Sequence, residues 1–246
     1  MRPVGKGTSP IQGDFDKYED AKVDLVSCLG SYCSYCERKI STNLAVEHIE
    51  PKDGAFGQPH LEKRWSNFLL ACVNCNSSKG SKQVIINNLF FPDRDNTLFV
   101  FEYLADGNIS PSASIINDIL NKDKANETLK LFGLDKTIRR TLDKNGKQIA
   151  LDKMSQRMEI WGIATLSLRK YERNQTNQDV KDLIVENMIA NGFFSVWMTV
   201  YKDYPEMKNL FIDAMNGTRN SGCFDNQGDT ISPHPNVDGL DGGGKV

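Results

Sequence analysis

Two cysteine pairs dominate the chemistry written into this sequence. Cys33-Ser34-Tyr35-Cys36 and Cys72-Val73-Asn74-Cys75 each separate two thiols by two residues. That spacing lets both sulfurs of a turn point at one tetrahedral Zn²⁺, and two such knuckles complete a closed four-sulfur site. With no open coordination position, the zinc expected there is structural. Between the knuckles lie Glu47-His48, then Pro51 and Asn67, while Asn76 and Lys79 follow the second pair. Histidine is the side chain whose ordinary titration falls near neutrality, which suits it to accept a proton. Leu44 and Val46 read as a short strand ahead of His48, and Asn67 to Ala71 as a second one entering the second knuckle. Asn76 and Lys79 then fall on the first turns of a helix. The expected unit is a two-stranded hairpin with a helix folded over it, pinned by zinc.

Those residues resemble the HNH endonuclease family, whose ββα-metal core combines an acid–His pair, a later Asn and a C-x-x-C-[HN]-x-x-K close. The matching positions are Glu47-His48, Asn67 and the run from Cys72 through Asn76 to Lys79. The resemblance implies that His48 is the general base and that Glu47 and Asn76 hold a catalytic divalent cation. It further implies that Asn67 orients the histidine or its backbone, and that Lys79 lies near the phosphate. Glu47 stands where aspartate is usual and Asn76 where histidine is often found, an oxygen-rich set that favours Mg²⁺ or Mn²⁺ over a second zinc. Hydrolysis of a phosphodiester needs a water made nucleophilic and a cation to neutralise charge growing on the phosphate oxygens. More widely, the opening MRPVGKG, the phrases GSYCSYCERKI and VEHIEPK, and a helical second half look like the HNH subunits of bacterial anti-phage systems. These are the Septu type and retron-associated nucleases, which act beside an ABC/SMC-type ATPase. The resemblance implies DNA as substrate, with RNA such as tRNA in some members, an ATPase partner and, as a further candidate, a retron component.

The elements that must position these groups follow from composition and patterning. The chain has 246 residues, 39% of them hydrophobic, and a formal net charge of −2, enough for one or two real cores but without the basic footprint of a free-standing DNA nuclease. No apolar run of membrane-spanning length and no signal peptide is read, so a reducing cytoplasm is expected and no membrane. Tyr18, Ala21, Leu25, Val26 and Leu29 recur at helical spacing from a cap at Asp14 or Asp16 until Gly30. Arg2 and Lys6 precede that helix as solvated or phosphate-facing residues. Residues 52–64 read as a loop that carries His60, off the family's motif positions. Leu98 to Tyr103 reads as a strand, with a hairpin turn at Asp106-Gly107. Helical spacing then covers Ala113–Asn121, Ala125–Phe132, Gln148–Glu172 and Asp179–Ala190, with shorter segments to Met215. In the long one, Leu151, Met154, Met158, Trp161, Thr165 and Leu168 form a narrow stripe. The stretch from Lys136 to Arg157 holds seven basic residues against two acidic ones. Within it Arg139, Arg140, Lys144 and Lys147 are the candidate nucleic-acid contacts. Cys28 reads as a small buried thiol, and the Gly- and Pro-rich tail from Asn216 as poorly ordered by itself.

The expected fold class is therefore α+β: an N-terminal ββα-metal core stapled by four cysteines, a small β-hairpin, and a mainly helical C-terminal half. Its divisions are 1–111 for the nuclease domain, 112–216 for a helical, partner-docking domain and 217–246 for the tail. Two other readings stay open at this level, a zinc-knuckle nucleic-acid adaptor without catalysis and a restriction-type nuclease acting alone. Because metal binding at closed cysteine sites is largely folding energy, metal analysis should find about one tightly held zinc per chain. Cys33→Ala and Cys75→Ala should each lose it and destabilise the fold. A variant that stays zinc-replete and as stable as the parent would contradict the assignment.

Overall fold

The computed structural model describes the backbone of residues 1–136, 141–142, 148–150 and 152–246, and side chains for 1–136 and 152–246. Arg139, Arg140, Lys144 and Lys147, the candidate nucleic-acid contacts, lie outside the described residues, as does Leu151. The observed class is α+β, with small antiparallel hairpins in the N-terminal half and helices in the C-terminal half.

Helix α1 (Ala21–Leu29) buries Ala21, Leu25 and Leu29 along one face and stops at Gly30, whose φ of +73° carries the chain out of the helix. It begins later than its periodicity suggests, because Phe15 is pulled aside to pack 6.1 Å from both Trp65 and Phe68. A separate turn, Tyr18–Asp20, precedes the helix, and Tyr18 leaves the apolar stripe. The first knuckle then reverses the chain, with Glu37 N–H donating to the Cys33 carbonyl and Ser34 N–H to Leu70. Strand β1 (Ala45–His48) pairs antiparallel with β2 (Phe68–Ala71), placing Glu47 opposite Leu69 and His48 opposite Phe68. Helix α2 (Val73–Lys79) follows directly, with Cys72 as its N-cap.

Downstream, Asn96 turns the chain into one helical turn, α3 (Thr97–Val100), where a strand was expected; its Oδ1 accepts the Phe99 N–H and its amide donates to Cys223 and Ile231. Strands β3 (Phe101–Tyr103) and β4 (Ile109–Pro111) close the hairpin over the Asp106-Gly107 turn. The two helical segments read between Ala113 and Phe132 are one helix, α4 (Ile119–Leu131), because Asp118 caps it through the Asn121 N–H. Strands β5 (Thr141–Leu142) and β6 (Gln148–Ala150) replace the expected start of the long helix. That helix, α5 (Lys153–Glu172), begins after Asp152, which accepts the Ser155 N–H. Its most buried residues are Arg157, Ile160, Ala164 and Tyr171, so the inward face is rotated from the expected stripe and Met158 is exposed. Arg157 lies inside, donating from Nε and Nη2 to the carbonyls of Gly107 and Leu134; a hydropathy pattern has no means of placing a charge held by such distant carbonyls. Helices α6 (Gln178–Asn191), α7 (Phe194–Val200) and α8 (Pro205–Ala214) complete the helical half around Trp197, Tyr201 and Phe211.

Buried polar contacts join the two halves. Gly192 (φ +77°) pairs with Arg38, and a Cβ there would stand 2.4 Å from the Glu37 carbonyl, so only glycine fits. Phe193 N–H donates to that carbonyl, and the Glu37 carboxylate accepts the Ser195 N–H at 2.9 Å and hydroxyl at 2.5 Å. The first zinc knuckle therefore caps α7 from outside the helix. Arg2 and Lys6 are buried rather than solvated. Arg2 donates to the carbonyls of Leu29 and Asn216 and to the Thr218 hydroxyl. Lys6 meets Asp93 at 3.0 Å and the Phe68 carbonyl at 2.7 Å. Burial alone would push the Asp93 carboxyl up, but Arg94 and Lys6 hold it well below the usual carboxylate range. Cys28 is half-buried, whereas Cys223 is fully buried. Residues 217–246, unpromising by composition, run across this same region. Asn96 and His234 N–H groups donate to the Val246 carbonyl, Lys245 pairs with Asp95 at 2.9 Å, and Asp238 accepts the Lys6 N–H. Hydrogen bonds to buried side chains order this tail, where its own apolar content could not.

If Glu37 welds the halves, Glu37→Ala should lower unfolding free energy by about 2–4 kcal/mol in urea titrations, since it strands the Ser195 N–H and hydroxyl and the buried Met1 ammonium 3.3 Å away. Ser195→Ala should cost less, and the double variant less than the sum. Additive effects would mean that the contact carries no coupling.

Candidate active site and metal centre

The sulfurs of Cys33, Cys36, Cys72 and Cys75 all lie within 4.8 Å of one another and are buried. Cys36 and Cys72 Sγ stand 3.7 Å apart, close to the ~3.8 Å edge of a tetrahedron with Zn–S bonds of about 2.3 Å. The donor set thus fits a structural zinc in charge, softness and size. The thiols of Cys33, Cys36 and Cys75 directed at Cys72 pull its pKa down, while burial pushes Cys33 up and contacts with the other thiols push Cys75 up. Zinc here would supply cross-linking between chain segments 36 residues apart and no reactive position.

Beside this centre, the end of β1 and the inner side of α2 form a cleft of about 330 Å³. Glu47, His48, Asn76 and Lys79 line it, together with Tyr18 and Lys52 at its rim. The β1–β2 register and the α2 start at Cys72 bring these groups together from positions about thirty residues apart. His48 Nε2 lies 2.8 Å from the Glu62 carbonyl, which assigns the proton to Nε2 and leaves Nδ1 as a free acceptor. Its ring packs edge-on against Tyr18 at 4.8 Å and Phe68 at 5.3 Å. Burial pushes the His48 pKa down, and Lys52 and Lys79 add to that, against the opposing bond to Glu62. Glu47 Oε1 and Lys79 Nζ form a buried ion pair at 3.0 Å. Burial raises the Glu47 carboxyl, with Lys79 restraining the rise.

Asn67 stands apart from the cleft. Its Oδ1 accepts the Glu50 N–H at 2.8 Å, and its Nδ2 donates to the carbonyls of Glu50 and Leu61. It thereby clamps the two ends of the loop that presents the Glu62 carbonyl to His48. His60 is exposed and outside the cleft. Sequence reasoning missed Tyr18, Lys52 and Asp53, which line the cleft, and Glu62, whose carbonyl meets His48. Lys52 lies 4.1 Å over the Tyr18 ring and 3.2 Å from Glu62; its place four residues after His48, past Pro51, was the available signal.

An HNH endonuclease family model matches residues 33–82, a span that contains all four cysteines and the whole cleft except Tyr18. A Vibrio cholerae (serotype O1 biovar El Tor) protein described as the candidate HNH endonuclease of retron Vc95 is 31% identical over 151 residues, covering 53% of this chain and 68% of the relative. The chain belongs to the HNH endonuclease family. Membership accounts for the shared ββα arrangement and the four-cysteine centre of this HNH protein. No described helix is long and apolar enough to cross a membrane.

The burial of His48 has a measurable consequence. Its folded pKa lies below the unfolded value of about 6.5, so protonation disfavours the native state. The stability it contributes is complete above about pH 6.5 and is lost as pH falls through the folded value. An NMR titration of the imidazole should give a midpoint below that of an exposed histidine, and Tyr18→Ala, which uncovers the ring, should raise it. A normal midpoint in the parent, unmoved by Tyr18→Ala, would contradict the packing described.

Proposed function

We propose that the cleft hydrolyses phosphodiester bonds of nucleic acid, with DNA the favoured substrate and RNA the alternative. The observation that carries this reading is the convergence of Glu47, His48, Asn76 and Lys79 on one cleft beside a separate, closed cysteine centre. His48 Nδ1 takes a proton from water as the water oxygen forms a bond to phosphorus and the bond to the leaving oxygen breaks. Asn67 keeps the loop in place so that the Glu62 carbonyl holds the required tautomer. Glu47 and Asn76 would hold Mg²⁺ or Mn²⁺, which when bound neutralises charge on the phosphate oxygens. Lys79 supplies a further positive charge close to the same phosphate.

The chain's formal charge of −2 gives weak long-range attraction for a polyanion, which supports delivery of the substrate by a partner. In this reading residues 1–111 are the cutting part, an ABC/SMC-type ATPase is the controlling subunit, and the helical residues 112–216 dock it. Exposed Ile119, Leu120, Leu166 and Leu183 on α4, α5 and α6 are the apolar groups available for such docking. The similarity to a retron-associated protein supports a retron component in the same complex and a role in anti-phage defence.

His48→Ala should reduce cleavage by the co-expressed system by roughly 10²-fold or more while the fold and zinc content are retained. Asn76→Ala should lower the rate and raise the Mg²⁺ or Mn²⁺ concentration needed. Parental cleavage rates in His48→Ala would remove the nuclease assignment of this cleft.

A further inference from the structure

Glu47 is the buried carboxylate of the cleft, Asp53 being exposed at its edge, and it already has a cation. Its side chain is 1% exposed, and Lys79, at 3% exposure, holds Oε1 at 3.0 Å. Among the described residues that ammonium otherwise makes a long hydrogen bond of 3.4 Å to the Gly80 carbonyl, so Glu47 is its main partner there. The carboxylate and ammonium cancel, and Asn76 adds no charge. A divalent cation entering this resting site would find an oxygen ligand with its charge spent and a like charge beside it. Moving Lys79 away with nothing to receive it would leave a buried ammonium uncompensated. A phosphodiester changes both costs, because its anionic oxygens can take Lys79 and add negative charge next to the incoming metal. The cleft, at about 330 Å³, has the volume of roughly ten waters, enough for both guests. The lysine stem, four flexible carbons long, can make the short move without backbone change.

We propose that Lys79 is the resting counter-ion of Glu47 and is handed to a substrate phosphate as the divalent cation arrives, so that cation and nucleic acid bind cooperatively at one composite site. The inference rests on the reading of Glu47 as a cation ligand. It assigns Lys79 a positioning role in ordering the two binding events, in addition to any contact with phosphate. Because binding couplings are reciprocal, whatever factor nucleic acid adds to metal affinity, metal must add to nucleic-acid affinity.

The test uses the zinc-loaded full chain carrying His48→Ala, so that nucleic acid stays intact. Mn²⁺ binding is followed by electron paramagnetic resonance without nucleic acid, and binding of a short labelled DNA duplex by anisotropy with and without Mn²⁺. Adding Lys79→Met should tighten Mn²⁺ binding without DNA by roughly tenfold or more and shrink the Mn²⁺-induced gain in DNA affinity by a similar factor. Adding Glu47→Gln should abolish specific Mn²⁺ binding. Should Lys79→Met lose zinc or unfold, Lys79→Gln, which keeps a neutral donor to Glu47, carries the same expectation. If Glu47→Gln loses Mn²⁺ but the Lys79 variants bind it no more tightly than their parent, the counter-ion role is overturned while the cation site survives. If Glu47→Gln binds Mn²⁺ as well as its parent, the cation site and this inference fall together.

Discussion

The four-sulfur centre is the constraint from which the rest of the structure follows. An ion held by Cys33, Cys36, Cys72 and Cys75 fixes two chain reversals at one point, and each reversal has a separate job. The second knuckle starts α2 and so places Asn76 and Lys79 against the end of β1. The first presents Glu37 to Phe193 and Ser195, which sets the start of α7. Apparent binding energies of structural zinc, about 10–16 kcal/mol, match or exceed the whole stability of an ordinary domain, about 5–15 kcal/mol. Two four-residue strands and a seven-residue helix could not hold the geometry of the cleft by their own burial and propensity.

Charge in the interior is the second organising feature. Lys6, Asp93 and Arg94 form a buried cluster that reaches the Phe68 carbonyl, directly across the strand pair from His48. Glu47 and Lys79 form another. Removing one member of such a pair costs about 3–5 kcal/mol because its partner remains buried and uncompensated. These groups therefore fix strand register and side-chain position more than they add net stability. The cleft that results contains a buried imidazole and a carboxylate paired with a lysine.

The local chemistry was legible in the sequence because it is written in short spacings. The cysteine pairs, the acid–histidine step, the Gly30 helix end and the Asp106-Gly107 turn are each decided within a few residues. What sequence reasoning misplaced depends on partners far along the chain. Tyr18 fits an apolar helical stripe and left it only because Phe15 is anchored on Trp65 and Phe68. The inward face of α5 is set by Arg157, whose partners are carbonyls 50 and 23 residues away. The tail has too few apolar residues to order itself, and it is held by Asp95, Asn96 and Lys6 from the other end of the chain. Arg2 and Lys6 read as solvated because a pattern cannot show that a charge has been met.

Hydrogen–deuterium exchange before and after zinc removal by a chelator reads the reach of the four-sulfur constraint residue by residue. On zinc removal β1, β2 and α2 should lose protection together with the N-terminal turn of α7, which is capped by the first knuckle through Glu37. Exchange confined to the knuckles, with β1, α2 and α7 as protected as in the zinc-loaded protein, would contradict that reach.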